Sequence, residues 1–323
     1  MLYRNLNNTE LKASVIALGT DSFGSMVSEA MSFRIMDKYT ELGGNIIDTA
    51  RVYASWVEGG DGASERTIGK WMKHNGNRKD IILSTKCAHP ILTPSQSNSS
   101  RLPSDSVLAR LKYDEMKEDL EKSLEALQTD YVDILWLHRD DFQTPVSEIA
   151  DTLESFVSSK QIRYYGFSNW KPDRIEELNK YISVKYNGNH FIGSQIKWSL
   201  AETSPNYEED PTLVEMSPSQ YDYYKKLNLT VFAYASQAKG FFSKVEAGGA
   251  EALKGKSQER YYSESNMEKY KYAHELAVKH NVPISAIVLS YLYSNKDFNV
   301  IPIVGCKNTE QIIDSLSAPE LII

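Results

Sequence analysis

The chain has 323 residues, 41% hydrophobic and 24% charged, a balance that suits a packed core and excludes an extended disordered chain. Its net charge of -7 and pI near 5.5, with no dense block of Lys and Arg, argue against a nucleic-acid scaffold, because phosphate recognition needs a basic face. Cys87 and Cys306 fit no metal-ligand spacing, no apolar run reaches the roughly 18 residues of a membrane span, and the opening residues hold no signal-peptide core; a reduced, cytoplasmic setting without nucleic-acid, membrane or metal partners is expected.

After a polar opening with Tyr3, Leu6 and Leu11, Val15-Ile16-Ala17-Leu18 predicts a buried strand ended by Gly19. Met31, Ile35, Met36 and Tyr39 recur at helical spacing and predict a helix over 28–42. A strand follows at 45–47, a helix over 64–73 begun by Ser64-Glu65, and a strand at 81–84. Residues 88–112, rich in Ser, Asn and Pro, exceed an ordinary connection and are expected to form a lid or binding loop. Beyond them the alternation is cleaner: helix 114–127, strand 132–137, helix 146–159, strand 162–167, helix 172–181, strand 191–196, helix 219–227 and strand 230–233. A Gly-, Ser- and Lys-rich stretch over 236–265 reads as a second long loop, before helices 267–280 and 284–293, strand 300–304 and helix 309–316.

Eight strands alternating with helices, and no linker between them, favour a single-domain (β/α)8 TIM barrel over 1–323. An open dinucleotide-binding sheet predicts G-x-G-x-x-G in the first turn, which instead reads Gly19-Thr20-Asp21-Ser22-Phe23-Gly24.

In a parallel barrel the carboxyl ends of the strands converge on one face. Asp48 follows Asn45-Ile46-Ile47, Lys86 comes after Ile81-Ile82-Leu83, His138 follows Ile134-Leu135-Trp136-Leu137, and Tyr53 lies one short loop beyond Asp48. Together they suit proton transfer at a carbonyl. A Lys86 ammonium is expected to lower the Tyr53 phenol from its usual ~10. Asp48 offsets the cost of burying that ammonium, and His138 hydrogen-bonds the reacting oxygen or relays a proton. Singly, each has a plainer role: packing for one of 20 tyrosines, a turn cap for Asp48, a snorkelling lysine, a core histidine. Their coincidence at successive strand ends carries the chemical reading.

These residues resemble the aldo-keto reductase family. Asn45-Ile46-Ile47-Asp48-Thr49-Ala50-Arg51-Val52-Tyr53 looks like its strand-two motif, Ser84-Thr85-Lys86 its lysine motif, Leu137-His138 its histidine, and Gly62-Ala63-Ser64-Glu65 through Gly69 its G-x-S-E-x-x-x-G segment. The likeness continues in Tyr165-Gly166-Phe167-Ser168-Asn169, Gln195-Ile196-Lys197-Trp198, Ala233-Tyr234-Ala235-Ser236 and Gly305-Cys306-Lys307 with Gln311, and so covers nearly the whole chain.

The resemblance implies a barrel with an N-terminal β-hairpin and long loops at its C-terminal face, reducing a small carbonyl compound by hydride transfer from NADPH. Tyr53 would be the general acid, Lys86 and Asp48 would set its acidity, and His138 would orient the carbonyl. Ser168, Asn169 and Gln195 would hold the nicotinamide carboxamide beneath the Tyr234 ring, near Gly19, Thr20 and Asp48. Ala235, Ser236, Gln237, Lys239 and Gly240 would line the pyrophosphate, where relatives often carry Ser-Pro-Leu. Gly305, Lys307, Asn308, Gln311 and Asp314 would surround the adenosine end. Lys307 stands where the family often has Arg or Ser and can meet a 2′-phosphate, which favours NADP(H) over NAD(H). Phe23, Trp56, His89, Trp170 and Trp198 are candidates for an aromatic pocket wall, with Arg139, Asp140 and Asp141 as hydrogen-bonding groups; a sugar or polyol carbonyl is the expected substrate. The alternative is a nucleotide-sensing module on the same barrel without significant turnover.

Overall fold

Successive side chains of an extended strand face opposite ways, so Ile46-Ile47-Asp48, Ile82 through Lys86 and Ile134 through Leu137 each present an inward and an outward row. The computed structural model describes residues 1–90, 110–186, 190–207, 210, 212–318 and 320–321. In it β1 (Tyr3–Asn5) and β2 (Lys12–Ser14) form an antiparallel hairpin. They precede the barrel strands β3 (Ala17–Gly19), β4 (Ile46–Asp48), β5 (Ile82–Cys87), β6 (Val132–Leu137), β7 (Ile162–Ser168), β8 (Phe191–Lys197), β9 (Thr230–Tyr234) and β10 (Val300–Gly305). Each of these eight pairs in parallel with the next, and β10 returns to β3, closing the barrel.

The inward row supplies one apolar cluster, made of Ile46, Ile82, Ile134, Trp136, Phe232, Ile301 and Ile303. Leu6, Leu11 and Ala13 of the hairpin join it, so the hairpin plugs one end of the barrel and the opposite, carboxyl end is left for the site. Trp136 needs space inside. A Cβ at Gly166 would lie 2.2 Å from Trp136 Cζ3 and 2.7 Å from Gly193 O, so only glycine fits there. The outward row, including Leu83, Leu135, Leu137, Phe167, Ile196 and Val231, forms a second cluster with the flanking helices.

Those helices begin and end where local chemistry favours it. Ser28 accepts from the Met31 amide before Glu29–Glu41, Ser217 and Gln220 form a capping box before Pro218–Leu227, and Asn308 accepts from the Gln311 amide before Thr309–Ser315. Three expectations change. β5 runs on to Cys87, so Lys86 is an inward residue of the strand, as Asp48 is of β4. The expected lid at 88–112 lies mostly outside the described residues. The expected loop at 236–265 instead holds the helices Phe241–Gly248 and Lys256–Tyr261 and the start of Glu264–His280. Phe241, Phe242, Val245, Leu253 and Tyr261 bury there against Ala273, Ile284 and Ile287 in a third cluster, and that burial overrides the polar composition. Among the described residues no helix is long and apolar enough to cross a membrane.

Candidate active site

The inward row of β4 ends at Asp48 and that of β5 continues Ile82, Ser84, Lys86, which brings carboxylate and amine together above the apolar floor. Their side chains are 2% and 1% exposed. An ammonium has three N–H donors, and each one of Lys86 finds an acceptor: Asp48 Oδ2 at 2.5 Å, Thr49 O at 2.8 Å and Tyr53 Oη at 2.9 Å. Asp48 Oδ1 in turn accepts from Ser84 Oγ at 2.8 Å and Gln195 Nε2 at 3.0 Å, so a carboxylate buried away from water keeps three hydrogen bonds, from two neutral neighbours and one cation. The Trp136 indole donates to Ser84 Oγ at 2.7 Å and fixes that hydroxyl.

The expected acidification of Tyr53 is corrected by burial. Desolvation holds the phenol well above 10, Asp48 and Asp21 add to it, and the Arg139 charge opposes it. Burial likewise pushes Lys86 down, against the pull of Asp48. The His138 ring lies 6.2 Å from the Tyr53 ring and 4.8 Å from the His89 ring. Burial, then His89, Arg139 and Lys86, hold His138 well below 6.5, so it is neutral at physiological pH; its buried Nδ1 has no hydrogen-bond partner among the described residues.

At the ends of β7 and β8, Asn169 Nδ2 donates to Ser168 Oγ at 3.0 Å and to His138 O at 3.3 Å. Asn169 Oδ1 accepts from Tyr234 Oη at 2.7 Å and the Val214 amide at 3.0 Å. Gln195 donates to Asp48, and its Oε1 has no donor among the described residues. That open acceptor, on the strand-paired neighbour of Ser168, suits the donor and acceptor pattern of a carboxamide.

The pattern of the aldo/keto reductase family matches residues 15–321. The chain belongs to that family. Similar proteins include the uncharacterized oxidoreductase YrpG of Bacillus subtilis, 29% identical over 99% of this chain and 92% of its own length. The norsolorinic acid reductase stcV of Emericella nidulans is 27% identical over 94% of this chain and 73% of its own, and the aryl-alcohol dehydrogenase GME11368 of Pestalotiopsis microspora 27% over 97% and 75%. The family comprises oxidoreductases of small-molecule carbonyl compounds that use nicotinamide cofactors.

In this aldo/keto reductase the remaining residues singled out for cofactor contact are spread along the barrel mouth. Thr20 is fully buried, its hydroxyl donating to Asp48 O at 2.9 Å, which makes it a support of β4. Ser236 Oγ donates to Ile303 O at 2.6 Å and Gln237 Nε2 to Ser315 Oγ at 2.9 Å, tying the segment after β9 to β10 and its helix. Ala235, Lys239 and Gly240 have φ of 53°, 52° and 75°, a run of left-handed residues that reverses the chain there. Asn308 caps Thr309–Ser315, the helix that carries Asp314, and Gln311 Oε1 accepts from the Lys307 amide at 2.8 Å. Gly19 and Gly305 are paired neighbours of β3 and β10.

One cation escaped the sequence reading. Lys244 Nζ donates to Lys239 O at 3.0 Å and Ser257 Oγ at 2.9 Å, and burial together with the Lys307 charge lowers its pKa. The ammonium of Lys244, on the helix Phe241–Gly248, thus acts together with that of Lys307, in the bend between β10 and the helix Thr309–Ser315. The available signal was the Phe241-Phe242-Val245 spacing, which marks a helix in the supposed loop and places Lys244 within it.

The expected pocket wall divides. Phe23 and Trp170 are fully buried, Trp170 stacking on Phe167 at 4.4 Å, and Trp198, 8% exposed, packs on Tyr221 and Phe298. Those three pack within the cluster between strands and helices. Trp56, 57% exposed, stands 6.5 Å from the Tyr53 ring, and His89 stands against His138. Asp140 is held by Arg174 at 3.1 Å, while Asp141 accepts from the Gln143 and Thr144 amides at 2.9 Å. The acidic pair is thus engaged by its own chain.

Proposed function

We propose that this aldo/keto reductase reduces an aldehyde or ketone to an alcohol, with NADPH as donor and Tyr53 as general acid. The observation that carries the reading is the hydrogen bond from Lys86 Nζ to Tyr53 Oη at 2.9 Å. Because the phenol oxygen accepts there, its own hydrogen is left for another acceptor. Burial keeps that hydrogen in place at neutral pH, which suits a proton donor. When the proton leaves, the phenolate oxygen faces an ammonium already in hydrogen-bonding position, so little reorganisation is needed. Neutral His138 supplies an N–H to orient the carbonyl oxygen between itself and Tyr53.

A bound dihydronicotinamide would supply the hydride. Ser168, Asn169 and the free Gln195 oxygen would hold its carboxamide, with the Tyr234 ring against the nicotinamide. Lys307 and Lys244 would meet a 2′-phosphate, which is the basis for NADP(H) over NAD(H). Tyr53→Phe is the direct test: turnover of a carbonyl panel should vanish while NADPH still binds, as read from its fluorescence. Undiminished turnover would show that another group is the acid.

A further inference from the structure

We infer that the carbonyl substrate carries an anionic group, of the carboxylate kind, received by the guanidinium of Arg139. This rests on the reductase reading and adds the charge class of the substrate. Arg139 directly follows the histidine placed to orient the carbonyl and is 8% exposed. Its Nε donates to Thr212 Oγ1 at 3.0 Å and its Nη1 to His138 O at 2.7 Å. A guanidinium has five N–H donors, so three remain without a hydrogen-bonded partner among the described residues. The only carboxylate it approaches there is Asp210, 4.0 Å from Nη2 and beyond hydrogen-bonding range. It is Asp210 Oδ2 that faces the guanidinium, while Oδ1 accepts from the Thr212 amide at 2.9 Å and the Thr212 hydroxyl at 2.7 Å.

Buried charges in proteins are normally paired, and the other buried cations among the described residues obey the rule: Lys86 has Asp48 at 2.5 Å and Lys197 has Glu215 at 3.4 Å. Among the described residues Arg139 has only Asp210 Oδ2, at 4.0 Å and without a hydrogen bond. His89 and His138 are neutral, Asp140 and Asp141 face their own partners, and Asp48 belongs to Lys86. The Nη1 bond to His138 O sets the guanidinium beside the histidine, and its charge acts on Tyr53, His138 and His89. A carboxylate accepts two parallel N–H donors from such a fork, and the exposed Trp56 ring beside Tyr53 offers a flat face to the body of an aromatic or extended acid.

The test compares 4-carboxybenzaldehyde with its methyl ester, which differ in the charge at one end of the same ring. With NADPH the acid should exceed the ester in kcat/KM by about tenfold or more. Arg139→Gln should bring the ratio to about one, Arg139→Lys should retain part of it, and Thr212→Val, which loosens the guanidinium's tether while keeping its charge, should preserve it. Benzoate should raise the melting temperature of the wild type more than benzamide does, and Arg139→Gln should abolish that difference. An ester used as well as the acid, or a preference that survives Arg139→Gln, overturns the anion site. Failure of both aldehydes to turn over counts against the reductase reading instead, and the benzoate and benzamide shifts then decide the anion site without turnover.

Discussion

Replacing Asp48 by Asn removes one charge from the deepest ion pair and leaves the shape of the site nearly unchanged. Lys86 and Asp48 are 1% and 2% exposed and 2.5 Å apart, so water cannot rescue the ammonium left behind. Removing one partner of a buried pair costs about 3–5 kcal/mol; the retained amide oxygen can still accept from Ser84, so about 3 kcal/mol at neutral pH is expected here. The loss should depend on pH in a defined direction. Burial already lowers Lys86, Asp48 is the first influence raising it, and its removal lowers the lysine further. Between the folded lysine's pKa and the unfolded value of ~10.4, the unfolded chain holds the extra proton, so stability rises with pH. The window in which the variant gains on the wild type opens at the variant's lower lysine pKa and closes at the wild type's higher one. Within it the deficit should shrink by up to about 1.4 kcal/mol per pH unit. Urea unfolding followed by tryptophan fluorescence at pH 7, 8 and 9 measures both quantities. A deficit below about 1 kcal/mol, or one that grows with pH, would refute a charged lysine held by this carboxylate.

Burial lowers His89 to about 4, whereas the unfolded imidazole titrates near ~6.5, so the unfolded chain gains protons first and stability should fall as pH drops from about 6.5 toward 4. The loss from His89 alone is roughly 3 kcal/mol, and His89→Gln should flatten the acid limb of a urea-midpoint profile. Gly166→Ala forces a methyl to within 2.2 Å of Trp136 Cζ3 and should destabilise the barrel by about 1–3 kcal/mol or prevent folding, seen as a lower melting temperature or loss of soluble protein. Lys244→Ala and Lys307→Ala should each weaken NADPH by about tenfold while NADH changes little, measured by fluorescence titration; equal losses for both nucleotides would place the lysines elsewhere.

Much of this arrangement was legible because strand parity is a local property. Ile46 and Asp48, Ile82, Ser84 and Lys86, and Ile134 and Trp136 share the inward row, so the floor and the ion pair are written at intervals of two along each strand. The same count explains one misreading. With Gln195 bonded to Asp48 inside, Trp198 falls on the outward row and packs on Tyr221 and Phe298, although its size suggested a pocket wall. The two short helices after β9 were hidden differently: each is too brief to show a full apolar stripe, and Phe241, Val245 and Tyr261 are recognisable as core only beside Ala273 and Ile287 of later helices.

Asp140 and Arg139 show where local rules stop. Asp140 meets Arg174 across 34 residues, and Arg139 meets Thr212 across 73. Neither pairing leaves a periodic trace. β6 ends at Leu137, so parity no longer directs Arg139, and its guanidinium is aimed by two contacts instead: one back to His138 O, one forward to the segment after β8. Adjacency to the histidine fixes only that a cation is nearby. Its hold on His138 O and Thr212, on which the proposed preference for an anionic substrate rests, depends on a fold in which distant strand ends and one returning loop share the same few ångströms.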